Sequence, residues 1–242
     1  MKFYRNQEIE ELAEERLAQL ALLLGHPLSP PIPIETLAEK ILGLDFLWEE
    51  IHELPGEIIP GALRPMEHRI VMNEKHRSLF QDKPGFERST KGHEMGHWDL
   101  FIDKETLEYP TLFNLDDGSP FLRRRSDSGE VFTMQRLLAS PEGRDLLREI
   151  KSRADDPDEA RAVNRYAAAI SMPKEMLRED ALQVDRTQWR NLYSLAKKFD
   201  VTISALTVRL SQLNLLYVKR DRGQTVLYES VEDAMGQMSL GF

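Results

Sequence analysis

Two of the six histidines in this chain lie four residues apart, in "KGHEMGHWDL". His93 is followed directly by Glu94, and His97 completes an H-E-x-x-H pattern. On an α-helix, residues i and i+4 project from the same face, one turn apart. Two imidazoles placed in this way can bind one divalent ion, and the glutamate between them can reach a water on that ion without being a ligand. A zinc ion lowers the pKa of such a water toward about 7 and polarises a carbonyl. The pattern therefore points to hydrolysis, with His93 and His97 as ligands and Glu94 as general base. The competing reading is a helix that carries two histidines by chance. Gly96 adds a packing clue. A mid-helix glycine costs about 1 kcal/mol relative to alanine, so its presence predicts a second backbone packed close to this helix.

The chain has no cysteine. That excludes disulfides, thiolate zinc sites and a cysteine nucleophile, and it suits a reducing cytoplasmic setting. Any transition metal must be held by His, Asp and Glu. Zinc is the first choice for such a set, with manganese as the alternative, because carboxylates also accept harder ions. The net charge of −9 disfavours the whole chain as a general nucleic-acid binder, since phosphate neutralisation needs cations. The opening "MKFYRNQEIEELAEERL" lacks the apolar region of a signal peptide. No stretch approaches the ~20 apolar residues of a membrane helix, so no membrane association is expected. At 242 residues there is room for one large domain or two small ones, with a real core either way.

The elements that must position the motif follow from periodicity. Ile9, Leu12, Ala13, Leu17, Leu20 and Leu24 predict an amphipathic helix over 6–24. The proline-rich "GHPLSPPIP" ends it, and "IETLAEKILG" predicts a second short helix capped by Gly43. "LDFLW" and "HRIVMN" read as strands of a small antiparallel sheet, separated by the turn-rich "PGEIIPGALRP". The motif helix, with Ser89 or Thr90 as N-cap, has apolar residues on several faces (Met95, Trp98, Phe101, Ile102), which predicts a central position. Residues 104–156 are irregular, and such long connections tend to be functional. Asp156 as N-cap and Pro157 at the first helical position open the next helix, with Val163, Tyr166, Ala167 and Ile170 on its apolar face. "TQWRNLYSLAKKFDVTISALTVRLSQLNLL" reads as helix, short turn, helix, and the tail "YVKRDRGQTVLYES" as a hairpin.

Four segments, in order, resemble one known family. "FERSTKGHEMGHW" is similar to the metal helix of the ImmA/IrrE zinc metallopeptidases, and "NRYAAAISMPKEML" to their second signature. "PIPIETLAEKILGL" resembles their N-terminal helix, and "WRNLYSLAKKFDVTISALTVRLSQLNLL" their C-terminal helical segment. The resemblance runs from about Ile9 to Leu216. It implies an α+β metallopeptidase domain over 1–173 and a C-terminal helix-turn-helix-like segment over 174–242. It also implies a cytoplasmic zinc endopeptidase that cuts a regulatory protein, such as a helix-turn-helix transcriptional repressor, in stress response or transcription regulation. The family's third metal ligand is a glutamate four residues before the signature Asn, here the position of Ala160. Glu159, one residue away, is the nearest carboxylate and the expected third ligand. Its other reading is a capping residue, paired with Asp156 at the helix start. Asp158, Asp103, Glu105 and Glu108 are the remaining carboxylates for that role.

Other candidates carry less. His26, His52, His68 and His76 read as surface residues, and Arg123, Arg124 and Arg125 as a solvated run. Tyr109 could stabilise an oxyanion if its loop covers the metal. The alternative function is a metal-poor, non-catalytic regulator that binds a protein partner or DNA through "LAKKFDVTISALTVRLSQL". Its few basic residues, Lys197, Lys198 and Arg209, make a protein partner the better expectation.

Overall fold

The computed structural model describes residues 4–53, 58–104, 122–123, 157–221 and 224–239. Within them the chain is an α+β protein with one small mixed sheet and a separate two-stranded hairpin.

Helix α1, Asn6–Leu24, buries Ile9, Ala13, Leu17 and Leu20, the spacing expected of it. It ends at Gly25, whose φ of 73° suits the left-handed cap. Helix α2, Ile34–Leu37, widens into a π-helical turn over Ala38–Leu42, and Gly43 closes it at φ 69°.

The sheet differs from expectation. Strand β1, Asp45–Glu49, runs parallel to β3, Arg69–Asn73, so the sheet is mixed and not antiparallel. The reason is a third strand inside the turn-rich stretch. Pro60 and Pro65 flank Gly61–Arg64 without interrupting it, and these four residues form β2, antiparallel to β3. A short turn over Pro65–Glu67 joins the two, with His68 at φ 52°. The chain thus reverses twice between β1 and β3, which restores the direction of β1. The two-residue strand β4, Leu122–Arg123, pairs with the outer edge of β2.

Helix α3, Arg77–Asp82, leads almost directly into α4, Pro84–Phe101. The motif helix starts earlier than expected. Pro84 occupies the first turn, where its missing N–H costs nothing. Ser89 and Thr90 are therefore interior and not caps. Thr90 Oγ1 donates instead to the Phe86 carbonyl at 3.0 Å, the usual alternative for a helical threonine.

Pro157 opens α5, Pro157–Ser171; Asp156, its expected N-cap, lies outside the described residues. Then come α6, Lys174–Leu182, α7, Trp189–Phe199, and α8, Ile203–Gln212. Strands β5, Tyr217–Asp221, and β6, Gln224–Tyr228, form the expected tail hairpin, followed by α9, Val231–Ser239. Two large apolar cores result among the described residues, beside a small cluster of Ile51, Ile59, Ala62 and Val71. One gathers residues from Ile9 to Ile170 around α1, α4, α5 and the sheet. The other gathers Met172 to Leu227 around α6, α7 and α8. No helix among the described residues is long and apolar enough to cross a membrane.

Candidate metal centre

Helix α4 is held on every side, as its apolar faces predicted. At its N-terminal end, a Cβ on Gly85 would come within 2.8 Å of Thr202 N, so the turn between α7 and α8 rests directly on the helix. Arg88 donates to the Ile32 carbonyl at 2.7 Å. On one flank Gly61 of β2 lies against Thr90 and Glu94, where a Cβ would meet their side chains at 2.8 and 3.8 Å.

On the other flank lies α5. A Cβ on Gly92 would stand 3.2 Å from the Ala167 Cβ, and one on Gly96 would stand 3.1 Å from the Val163 carbonyl oxygen. The second backbone that Gly96 predicted is therefore α5. The pairings 92 with 167 and 96 with 163 run in opposite senses, so the helices are antiparallel.

Near its C-terminal end, Trp98 Nε1 donates to the Leu42 carbonyl at 3.2 Å. Asp99 accepts from Arg16 at 2.8 and 3.0 Å, from the Tyr166 hydroxyl at 2.9 Å and from Lys104 at 3.1 Å. Burial pushes the Asp99 carboxyl up, but the hydrogen bonds and charges of Arg16 and Lys104 prevail and hold it below its ordinary value. Burial, with the Asp99 charge beside it, pushes the Tyr166 hydroxyl well above its ordinary value.

This scaffold fixes the motif. His93, Glu94 and His97 are 5%, 0% and 3% exposed. The Nε2 atoms of the two histidines face each other at 3.1 Å. Each ring's Nδ1 points the other way, to a residue of α5. Asn164 Oδ1 lies 2.9 Å from His93 Nδ1, and Glu159 Oε1 lies 3.0 Å from His97 Nδ1. The expected ligand Glu159 is thus brought to the site, on the far side of the His97 ring from the Nε2 pair.

The other carboxylates behave differently. Asp158 pairs with Arg161 on the surface, and Asp103 is exposed just beyond α4. Glu105, Glu108, Tyr109, Arg124 and Arg125 lie outside the described residues. Among the described residues, no group of three or more His, Cys, Asp or Glu is gathered to hold an ion. His26, His52 and His68 are exposed, while His76 is half-buried against Glu53. Sequence reasoning missed Gly61, whose signal was only a glycine between prolines. It also missed what Asn164 touches, although the residue stands in the second signature.

Two histidine nitrogens bound at about 2.0–2.1 Å to one tetrahedral zinc ion stand about 3.3 Å apart. The observed 3.1 Å fits two corners of such a site.

No protein-family model matches the chain, and no curated protein matches it. What these residues can do is therefore argued from their own chemistry.

Proposed function

We propose that this chain is a zinc-dependent endopeptidase of the ImmA/IrrE type, working in the cytoplasm on a regulatory protein such as a helix-turn-helix transcriptional repressor. One observation carries the metal reading. Asn164 Oδ1 and the Glu159 carboxylate accept hydrogen bonds, so each histidine places its proton on Nδ1. The two Nε2 atoms, turned toward each other at 3.1 Å in a buried place, are then the ring nitrogens that can ligate. A divalent ion ligated by both is the arrangement that H-E-x-x-H helices serve.

His93 and His97 hold the ion, zinc in the first place and manganese as the alternative. When bound, the metal supplies Lewis-acid polarisation of the scissile carbonyl and a more acidic water. Glu94 accepts the proton of the attacking water and passes it to the departing amine. Its position supports that role: it is one residue past His93 and wedged between α4 and β2. The substrate class follows from the resemblance alone.

One of the regulator alternative's three cations is buried, and a second is paired at the surface. Arg209 is fully buried and bidentate to Glu10 at 2.6 and 2.8 Å, and Lys198 pairs with Asp180 at 2.6 Å. The turn between α7 and α8 is packed on Gly85 and does not project. These features favour a structural or partner-binding segment over a DNA-reading one.

Two measurements test the reading. Purified chain should hold one equivalent of zinc, and His97→Ala should lose it while staying folded. Incubated with a pool of unfolded bacterial proteins, the zinc-loaded chain should create new N-termini detectable by mass spectrometry. Glu94→Gln should slow their appearance by about 10²–10⁴-fold. Equal rates for both proteins would end the peptidase proposal.

A further inference from the structure

The two histidines are backed by different chemistry from a single helix. Glu159 offers a carboxylate to His97, and Asn164 a neutral amide to His93. Both contacts are made by α5, and both go to Nδ1. Along α5 the two residues are five positions apart, about 7.5 Å of rise, against about 6 Å between the histidines on α4. The antiparallel helices therefore bring one α5 residue to each ring. Gly92 and Gly96 make this approach possible, because a side chain at either would strike Ala167 or Val163.

We propose that Glu159 and Asn164 are positioning residues. They hold His97 and His93 in the Nδ1-protonated form, so that both present Nε2 to one ion, and Glu159 acts through His97 and not as a direct ligand. The inference rests on the metal reading above and refines it. A ring nitrogen whose N–H is held by a carboxylate or amide oxygen makes the opposite nitrogen a fixed and more basic donor. Its carboxylate partner makes His97 the stronger donor of the two.

The test is a titration of the metal-free full chain with Zn²⁺ and, separately, with Co²⁺, whose visible absorption reports the ligand set. Thermal melting of each metal-free variant checks the fold. Glu159→Ala should still bind one ion, about 10–100-fold more weakly. Glu159→Gln keeps an oxygen for the Nδ1 proton and should recover most of that loss. Asn164→Ala should weaken binding within the same range, and Asn164→Asp should restore it or exceed wild type. The Co²⁺ spectrum should keep its shape in all four variants.

Three outcomes would overturn the inference. Loss of stoichiometric binding in both Glu159→Ala and Glu159→Gln, or a Co²⁺ spectrum in these variants that departs from the wild-type shape, would make Glu159 a ligand. Unchanged affinity in Glu159→Ala and Asn164→Ala would make both contacts merely structural. A wild-type chain that takes up neither ion would remove the metal reading itself, a failure distinct from the other two.

Discussion

Replacing Gly96 with alanine should do the opposite of what helix propensity dictates. In an open helix the change stabilises by about 1 kcal/mol. Here the new Cβ would stand 3.0 Å from Val163 Cγ1, 3.1 Å from its carbonyl oxygen and 3.3 Å from its Cα. A flexible side chain could swing away, but two of these three atoms are backbone in the middle of α5. The third belongs to a β-branched side chain with little rotamer freedom, fully buried at 0% exposure. The helices must separate by a few tenths of an ångström. Overpacking of this kind costs about 1–3 kcal/mol, so the net change is a loss of up to about 2 kcal/mol. The separation also reaches the metal site. Val163 precedes Asn164, and Gly96 precedes His97, so both Nδ1 hydrogen bonds lengthen together. Zinc affinity should fall by about tenfold, near the lower limit for disturbing such contacts. Gly92→Ala is the graded control, since its contacts with Ala167 are looser, at 3.2 Å to the Cβ, 3.5 Å to the Cα and 3.7 Å to the carbonyl oxygen. Urea unfolding in the presence of a chelator gives the stability change, and zinc titration gives the affinity. A Gly96→Ala protein about 1 kcal/mol more stable than wild type, with unchanged zinc affinity, would refute the close-packing argument.

Two further predictions concern the supports of the site. Asp99→Ala strands Arg16 and Tyr166 at the C-terminal end of α4, and should cost about 3 kcal/mol, the lower part of the range for breaking a buried ion pair because Arg16 is partly solvated. A urea midpoint equal to wild type would show that the network is dispensable. Burial pushes the Glu10 carboxyl up, but its bonds to Arg209 and Arg165 prevail and hold it below the ordinary value. A carboxyl lowered in the folded state stabilises the fold above its ordinary pKa, and that contribution is lost as pH falls through the folded value. Below the ordinary glutamate pKa of about 4.3, wild type should lose stability faster than Glu10→Gln, and parallel pH curves would count against this.

The parts of the fold that periodicity governs were legible. The buried residues Ile9, Ala13, Leu17 and Leu20 follow the helical repeat, and Gly43 caps where expected. Strand β2 was hidden because four residues between two prolines are too short to show alternation, and a leading glycine reads as a turn. Missing it also concealed the direction of β1, since the chain reverses once more than the visible strands suggest. The start of α4 was misplaced for a related reason. Serine and threonine are strong cap signals, but a proline that pre-sets the first turn competes with them, and Pro84 won.

The candidate site divides along the same line. His93, Glu94 and His97 lie within one helical turn, so their common face is a property of local sequence. The part played by Glu159 depends on how α5 is rotated and shifted against α4, and no local pattern encodes that. A slip of one residue turns a side chain by about 100°. This separates Ala160, where the resembling family has its ligand, from Glu159, which meets His97 Nδ1 here. The rotation is set by small residues. Gly92 accepts Ala167, Gly96 accepts Val163, and these two contacts leave Asn164 and Glu159 opposite the two rings. Gly96 signalled from the sequence that a backbone would come close, but not which residue would meet it. The helix register that brings α5 against these glycines is what makes Glu159 a partner of the histidine.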